Sequence, residues 1–211
     1  NTVELTALGF QALLTALLAL VYYGLWQQQH RPYFATWAAA WGIYAARLVF
    51  ISAYLVTREV VWLFAHQAAT SITALLLLYA ALQFERGARW RRRYILLVAF
   101  VVVAWSYVAV HVLRNMMAAG LTSAIMISGV TLLTGLVFAR HTRRTPSPGG
   151  LILAWTFGLW GLHHLDYPFL RARGAWNPWG YYLDILFELA LGAGILLLVM
   201  DDLSRGLSAL S

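Results

Sequence analysis

Seven stretches of mainly apolar residues run through this chain, near residues 4–26, 33–56, 59–83, 94–114, 117–139, 150–168 and 181–200, divided by charged or proline-containing breaks. A helix of about 20 apolar residues crosses a hydrocarbon core of roughly 30 Å, so each stretch reads as a membrane span. Lipid offers no hydrogen-bond partner to a backbone, and an open sheet would leave its edges unpaired. The predicted fold is therefore all-α: a polytopic membrane protein built as one seven-transmembrane-helix bundle. Composition agrees, with 62% hydrophobic and 11% charged residues and a mean hydropathy of +0.70, far from the balance of a water-soluble domain. The start of the chain lacks a basic segment and its apolar run is too long for a signal-peptide core, so the first stretch is expected to be a span.

Charge in the breaks predicts orientation, because arginine and lysine collect on the cytoplasmic side. All fifteen basic residues are arginine. Breaks one, three and five hold nine of them: Arg31, Arg86, Arg89, Arg91, Arg92, Arg93, Arg140, Arg143 and Arg144. Breaks two, four and six hold Arg58, Arg114, Arg171 and Arg173. The odd breaks are thus expected to be cytoplasmic, with the N-terminus outside and the C-terminus inside. The net charge of +7 then reflects topology and anionic headgroups and not nucleic acid. Residues 1–200 are expected to form the membrane domain. Residues 201–211, with Leu203, Leu207 and Leu210 at helical spacing, are expected to begin a cytoplasmic signalling helix leading to an effector in the same chain and to a homodimer.

Ionisable residues inside spans cost about 2.5–3.5 kcal/mol each and normally face the bundle interior. At a rise of about 1.5 Å per residue, His66, His111, His163, His164, Asp184 and Glu188 all fall in the outer half, and Arg47 lies near the midplane. Asp184 and Glu188 stand at i, i+4, on one helix face, where two like charges need a proton, a cation or a ligand between them. His163 shares a face with Asp166 and Tyr167, whereas His164 follows Trp160 by four, and the spacing does not choose between the two histidines. One polar chamber is predicted near the outer surface, lined by these residues and capped by Trp176, Pro178, Trp179, Tyr181 and Tyr182. The bland alternatives are an interfacial aromatic belt, a structural role for His111, and a buried ion pair of Arg47 with Glu188.

"LHHLDYPFLR", then "WNPWGYYLD" and a final acidic, glycine-containing span, resembles the membrane input modules of bacterial signalling proteins, which stand ahead of PAS, histidine-kinase or GGDEF output domains. The positions that match are His163, Asp166, Tyr167, Pro168, Trp179, Gly180 and Asp184. The resemblance implies a sensory domain in the bacterial inner membrane that relays through its last helix to a cytoplasmic effector.

Several chemistries suit the chamber. Imidazole and carboxylate together fit a divalent transition metal, with His66, His111, His163, Asp184 and Glu188 as the ligand set, and a small organic ion arriving from the periplasmic side fits the same charges. Haem is the alternative cofactor, held axially by His66 with His111 or with His163. A zinc-dependent hydrolase would need three ligands and a base, and no HExxH spacing is present. A transporter with helices broken in matching halves is not evident. Microbial rhodopsins share the outline of seven spans, but a covalent retinal needs a lysine amine, and the chain has no lysine. The membrane domain itself is expected to be non-catalytic. Signal would pass as a shift of about 1–2 Å in the last span, where Gly192, Ala193 and Gly194 permit close helix contact.

The orientation is testable directly. A reporter active only in the periplasm, fused after Ser211, is expected to be silent, and activity there would turn the bundle over and move every chamber residue to the inner half.

Overall fold

Proline, serine and left-handed residues mark where the helices start and stop. A computed structural model describes the backbone of residues 2–89, 91–113, 116–172 and 179–208, and their side chains except those of 92, 116–120, 122–123, 166–172, 179 and 207–208. Among the described residues there are seven α helices: α1 (Thr2–Gln29), α2 (Pro32–Thr57), α3 (Val60–Arg86), α4 (Arg92–Tyr107), α5 (Met116–Arg144), α6 (Pro148–Ala172) and α7 (Trp179–Ser208). Pro32 opens α2, a position where its missing N–H costs nothing. Gly87, at φ 62°, closes α3 and donates its N–H to Gln83 O, the left-handed stop that glycine adopts without strain. The Ser147 hydroxyl accepts from Gly150 N at 2.9 Å, which caps α6 just ahead of Pro148.

The seven expected spans correspond to these seven helices, extended by a few residues at most ends. Six of them are long and apolar enough to cross a membrane over their described residues, and α6 is not among the six. The described part of α6 carries Pro148, four glycines, two tryptophans and the His163–His164 pair, which dilute its leucines. The architecture is that of a multi-pass membrane protein.

Each helix packs on its neighbour in a closed series: α1 on α2, α2 on α3, α3 on α5, α5 on α6, α6 on α7, and α7 back on α1. Helix α4 touches α3 lightly and stands outside the ring. It continues as one π turn, Val108–Val112, in which Leu113 N donates to Val108 O at 2.9 Å. Such turns relax the helical ladder by one residue, and this one brings α4 against α3 and α5. Leu96, Phe100 and Val101 of α4 and Phe10, Leu13, Leu17 and Leu20 of α1 are exposed, an apolar surface that suits lipid and not water.

The starts of α2 and α6 and the ends of α3, α5 and α7 share one end of the bundle. There Thr36 donates to Gln83 at 2.6 Å, Arg144 approaches Glu85 at 3.6 Å, and Arg205 donates to Pro146 O at 2.6 Å. These contacts gather the arginine-bearing first, third and fifth breaks on the same side. Inside, Trp37, Trp41, Trp160, Tyr22, Phe34, Phe138 and Phe157 are wholly buried, and Phe138 stacks on Phe157 with centroids 5.8 Å apart.

Glycine sets the closest helix contacts. A Cβ on Gly149 would lie 2.6 Å from Gly194 O and 2.8 Å from Leu198 Cα, so α6 and α7 meet backbone to backbone. Gly149→Ala is accordingly expected to lower stability by about 1–3 kcal/mol in reversible unfolding from detergent. Gly9→Ala, with open space around it, should change stability by less than about 1 kcal/mol.

Candidate functional site

Five helices contribute to one buried polar layer. Glu188 of α7 is fully buried, and its two carboxylate oxygens accept from α1: Gln11 Nε2 at 2.5 Å and Thr15 Oγ1 at 2.6 Å. Gln11 and Thr15 stand at i, i+4 in an otherwise apolar helix, which places both on the face turned to α7. Gln11 Nε2 also approaches the Tyr44 hydroxyl at 3.3 Å. That hydroxyl accepts from Arg47 Nη2 at 3.0 Å, and the guanidinium lies 4.1 Å from the Tyr44 ring centroid, within cation–π range. Arg47 Nη1 reaches Thr70 Oγ1 of α3 at 3.4 Å. The connection from Arg47 to Glu188 thus runs through Tyr44 and Gln11.

His66 joins from α3. Its Nδ1 lies 3.1 Å from the Arg47 main-chain oxygen, and because a carbonyl only accepts, Nδ1 carries the proton. On the other side of the layer, Trp160 Nε1 donates to Asp184 Oδ1 at 2.8 Å, and His163 Nε2 stands 4.0 Å from the same oxygen. The His164 ring lies against Trp160 with centroids 5.1 Å apart. Both histidines therefore border the layer, His163 beside the carboxylate and His164 beside the indole. Trp160 also lies nearly parallel to Trp41, centroids 6.4 Å apart, and packs against Tyr44 at 5.8 Å.

Arg47, His66, His163, His164, Asp184 and Glu188 are thus gathered as the sequence suggested. His111 has a different setting: within the π turn its ring lies 4.8 Å from Tyr107 and 5.9 Å from Phe64. The side chains of Asp166, Tyr167, Pro168 and Trp179, and all of Arg114, Arg173, Trp176 and Pro178, lie outside the described residues. Asp184 and Glu188 do share the inward face of α7: Trp160 donates to Asp184, with His163 beside the same oxygen, and Gln11 and Thr15 donate to Glu188.

That arrangement bears on the metal reading. Among the described residues, no three of the histidines and acids come close enough to hold a metal ion. The set of His66, His111, His163, Asp184 and Glu188 is therefore not assembled as one ligand shell. The carboxylates are spread along two separate groups of donors, and His111 is engaged by aromatic rings.

Besides Thr70 and Trp41, four residues not expected in the chamber belong to the layer: Gln11, Thr15, Tyr44 and Trp160. A signal existed for two of them, since a glutamine and a threonine four apart in an apolar span form a polar stripe. For Tyr44 and Trp160 no such signal separates a core aromatic from a hydrogen-bond donor. Two further polar atoms of the layer, Gln11 Oε1 and Trp41 Nε1, are buried without a hydrogen-bond partner among the described residues.

Comparison of the chain with protein-family models, with curated proteins and with solved structures finds no match.

The layer should carry measurable stability. Thr15→Val removes one donor from a buried carboxylate and is expected to cost about 0.6–1.7 kcal/mol in detergent or bicelle unfolding. Thr6→Val, where an exposed hydroxyl only turns back to its own helix, should change stability by less than about 0.5 kcal/mol.

Proposed function

We propose that this chain is the membrane-embedded sensory domain of a bacterial signal-transduction protein, which binds a ligand in the buried polar layer and relays through α7 to a cytoplasmic effector. One observation carries the reading: α7 holds both carboxylates of the layer, Asp184 and Glu188, and runs without interruption to Ser208 at the arginine-bearing end. A change in what those carboxylates bind would therefore act on the same rigid element that leaves the membrane. A bundle of apolar helices also suits a non-catalytic membrane domain. The arginine bias of the breaks supports an outside N-terminus in the bacterial inner membrane, and the likeness of helices six and seven to signalling input modules supports an effector and a homodimer.

The ligand class that best fits is a small polar organic molecule. It would meet Gln11 Oε1 as acceptor and Trp41 Nε1 as donor, two of the buried atoms without a hydrogen-bond partner among the described residues. Satisfying a buried polar atom is worth about 1–3 kcal/mol, and the aromatic wall of Trp41, Tyr44 and Trp160 supplies apolar contact around it. A metal ion fits less well, because no three ligands converge among the described residues.

The test is a thermal-shift screen of water-soluble organic acids, amines and amides against the purified chain, read beside Asp184→Asn and His163→Ala. A ligand at 100 times its Kd stabilises by about 2.7 kcal/mol. The expected result is a rise in Tm for the wild type that both variants lose while keeping their basal Tm within a few degrees. Equal rises in all three would place binding elsewhere, and collapse of both variants without ligand would make the layer a structural network.

A further inference from the structure

Helix α7 is held differently along its length. At its middle the contacts are steric and come from two sides. A Cβ on Gly192 would meet Leu18 Cδ2 of α1 at 2.8 Å, and one on Gly194 would meet Leu153 Cδ2 of α6 at 3.0 Å. The Gly149 backbone of α6 lies directly against Gly194 and Leu198. The backbone contact with α6 cannot give without overlap, and on the α1 side the tip of the Leu18 side chain closes over Gly192. Towards its ends, α7 is instead held by hydrogen bonds: Trp160 to Asp184 and Gln11 and Thr15 to Glu188 on one side, and Arg205 to Pro146 O on the other. Hydrogen bonds can be exchanged for bonds to a ligand or to water, whereas backbone contacts cannot.

We infer that α7 is a rocker pivoted between residues 192 and 198, so that a sideways displacement at Asp184 and Glu188 returns with opposite sense at Arg205 and opens or tightens its bond to Pro146. A slide of the whole helix would have to break the glycine contacts on both sides, and tilting about them does not. From the middle of the pivot, residue 195, Glu188 lies about 10 Å and Arg205 about 15 Å along the axis, so a movement at the polar layer arrives at the other end undiminished. The inference rests on the sensory reading for its purpose, since the rocker is what would carry occupancy of the polar layer to the arginine-bearing end. Its mechanics can be examined without any ligand.

The chain contains no cysteine, so spin labels can be placed in pairs on the full chain. Leu162 and Leu186 are exposed on α6 and α7 on the polar-layer side of the pivot, Leu203 is exposed on α7 on its other side, and Leu151 is exposed on α6 at the level of the pivot. Pulsed dipolar measurements on the two pairs would be compared between the unaltered background, Asp184→Asn and Trp160→Phe. The expected result is a shift of about 1–2 Å in each pair with opposite signs, one lengthening as the other shortens. Trp160→Phe makes the same perturbation from the donor side should Asp184→Asn not assemble. Arg205→Gln, which leaves the polar layer untouched, should move the Leu162–Leu186 pair in return, because coupling between two sites is reciprocal.

Shifts of the same sign in both pairs, or movement of one pair alone, would overturn the rocker, as would a change confined to the Leu151–Leu203 pair in Arg205→Gln. Any of these leaves the ligand screen standing by itself. Conversely, opposite shifts with no ligand found would keep the rocker and remove the sensory reading.

Discussion

A charge placed in hydrocarbon has to find its partners within the protein, and that requirement organises the centre of this bundle. Glu188 is wholly buried and takes donors from Gln11 and Thr15, which fixes the face that α1 presents to α7. Asp184 takes the Trp160 indole, which fixes α6 against the same helix. Arg47 is met by Tyr44 and Thr70, tying α2 to α3. Rotating any one of these helices by a single residue, about 100°, would turn an ionisable group or its donors away from the layer. The polar layer therefore sets helical phase in a bundle whose apolar packing alone has little reason to prefer one rotation over another, because lipid tails are as apolar as leucine.

Around that layer the packing divides into two kinds. The aromatic column of Trp37, Trp41, Trp160, Phe138 and Phe157 fills the middle of the ring, and glycines bring α6 and α7 into backbone contact. Helix α4 contributes little to either. It stands outside the ring with apolar residues around its exposed surface, which lipid accommodates at no cost. The helix that carries the layer's two carboxylates also meets α6 backbone to backbone at its middle, and this pairing of a polar half with a sterically held centre underlies both the sensory reading and the rocker.

Much of the fold was legible from residue order. The apolar runs gave the helices, and the charged or proline-containing breaks fall where helices end. The intramembrane charges gave most of the layer, because His66, His163, Asp184 and Glu188 are costly in lipid and had to converge. The reading failed where a residue's role depends on what faces it. His111 looked like a member of the chamber by depth, but depth says nothing of the π turn that sets its ring among Tyr107 and Phe64. A buried ion pair of Arg47 with Glu188 stood as one alternative, and the bonds between them run through Tyr44 and Gln11. The metal set failed for the same reason: residues at one depth on different helices are not thereby close.

The sequence by itself determined that this chain is a helical membrane protein with its arginines on alternate breaks and its acids on the last helix, because those properties follow from length, hydropathy and the cost of charge in lipid. Only the tertiary structure decided which donors satisfy each acid, which histidine lies beside Asp184, that α4 is left outside the ring, and that α7 is pinned at Gly192 and Gly194. These depend on the rotation and spacing of one helix against another, and a one-dimensional pattern specifies faces but not the neighbours those faces will meet.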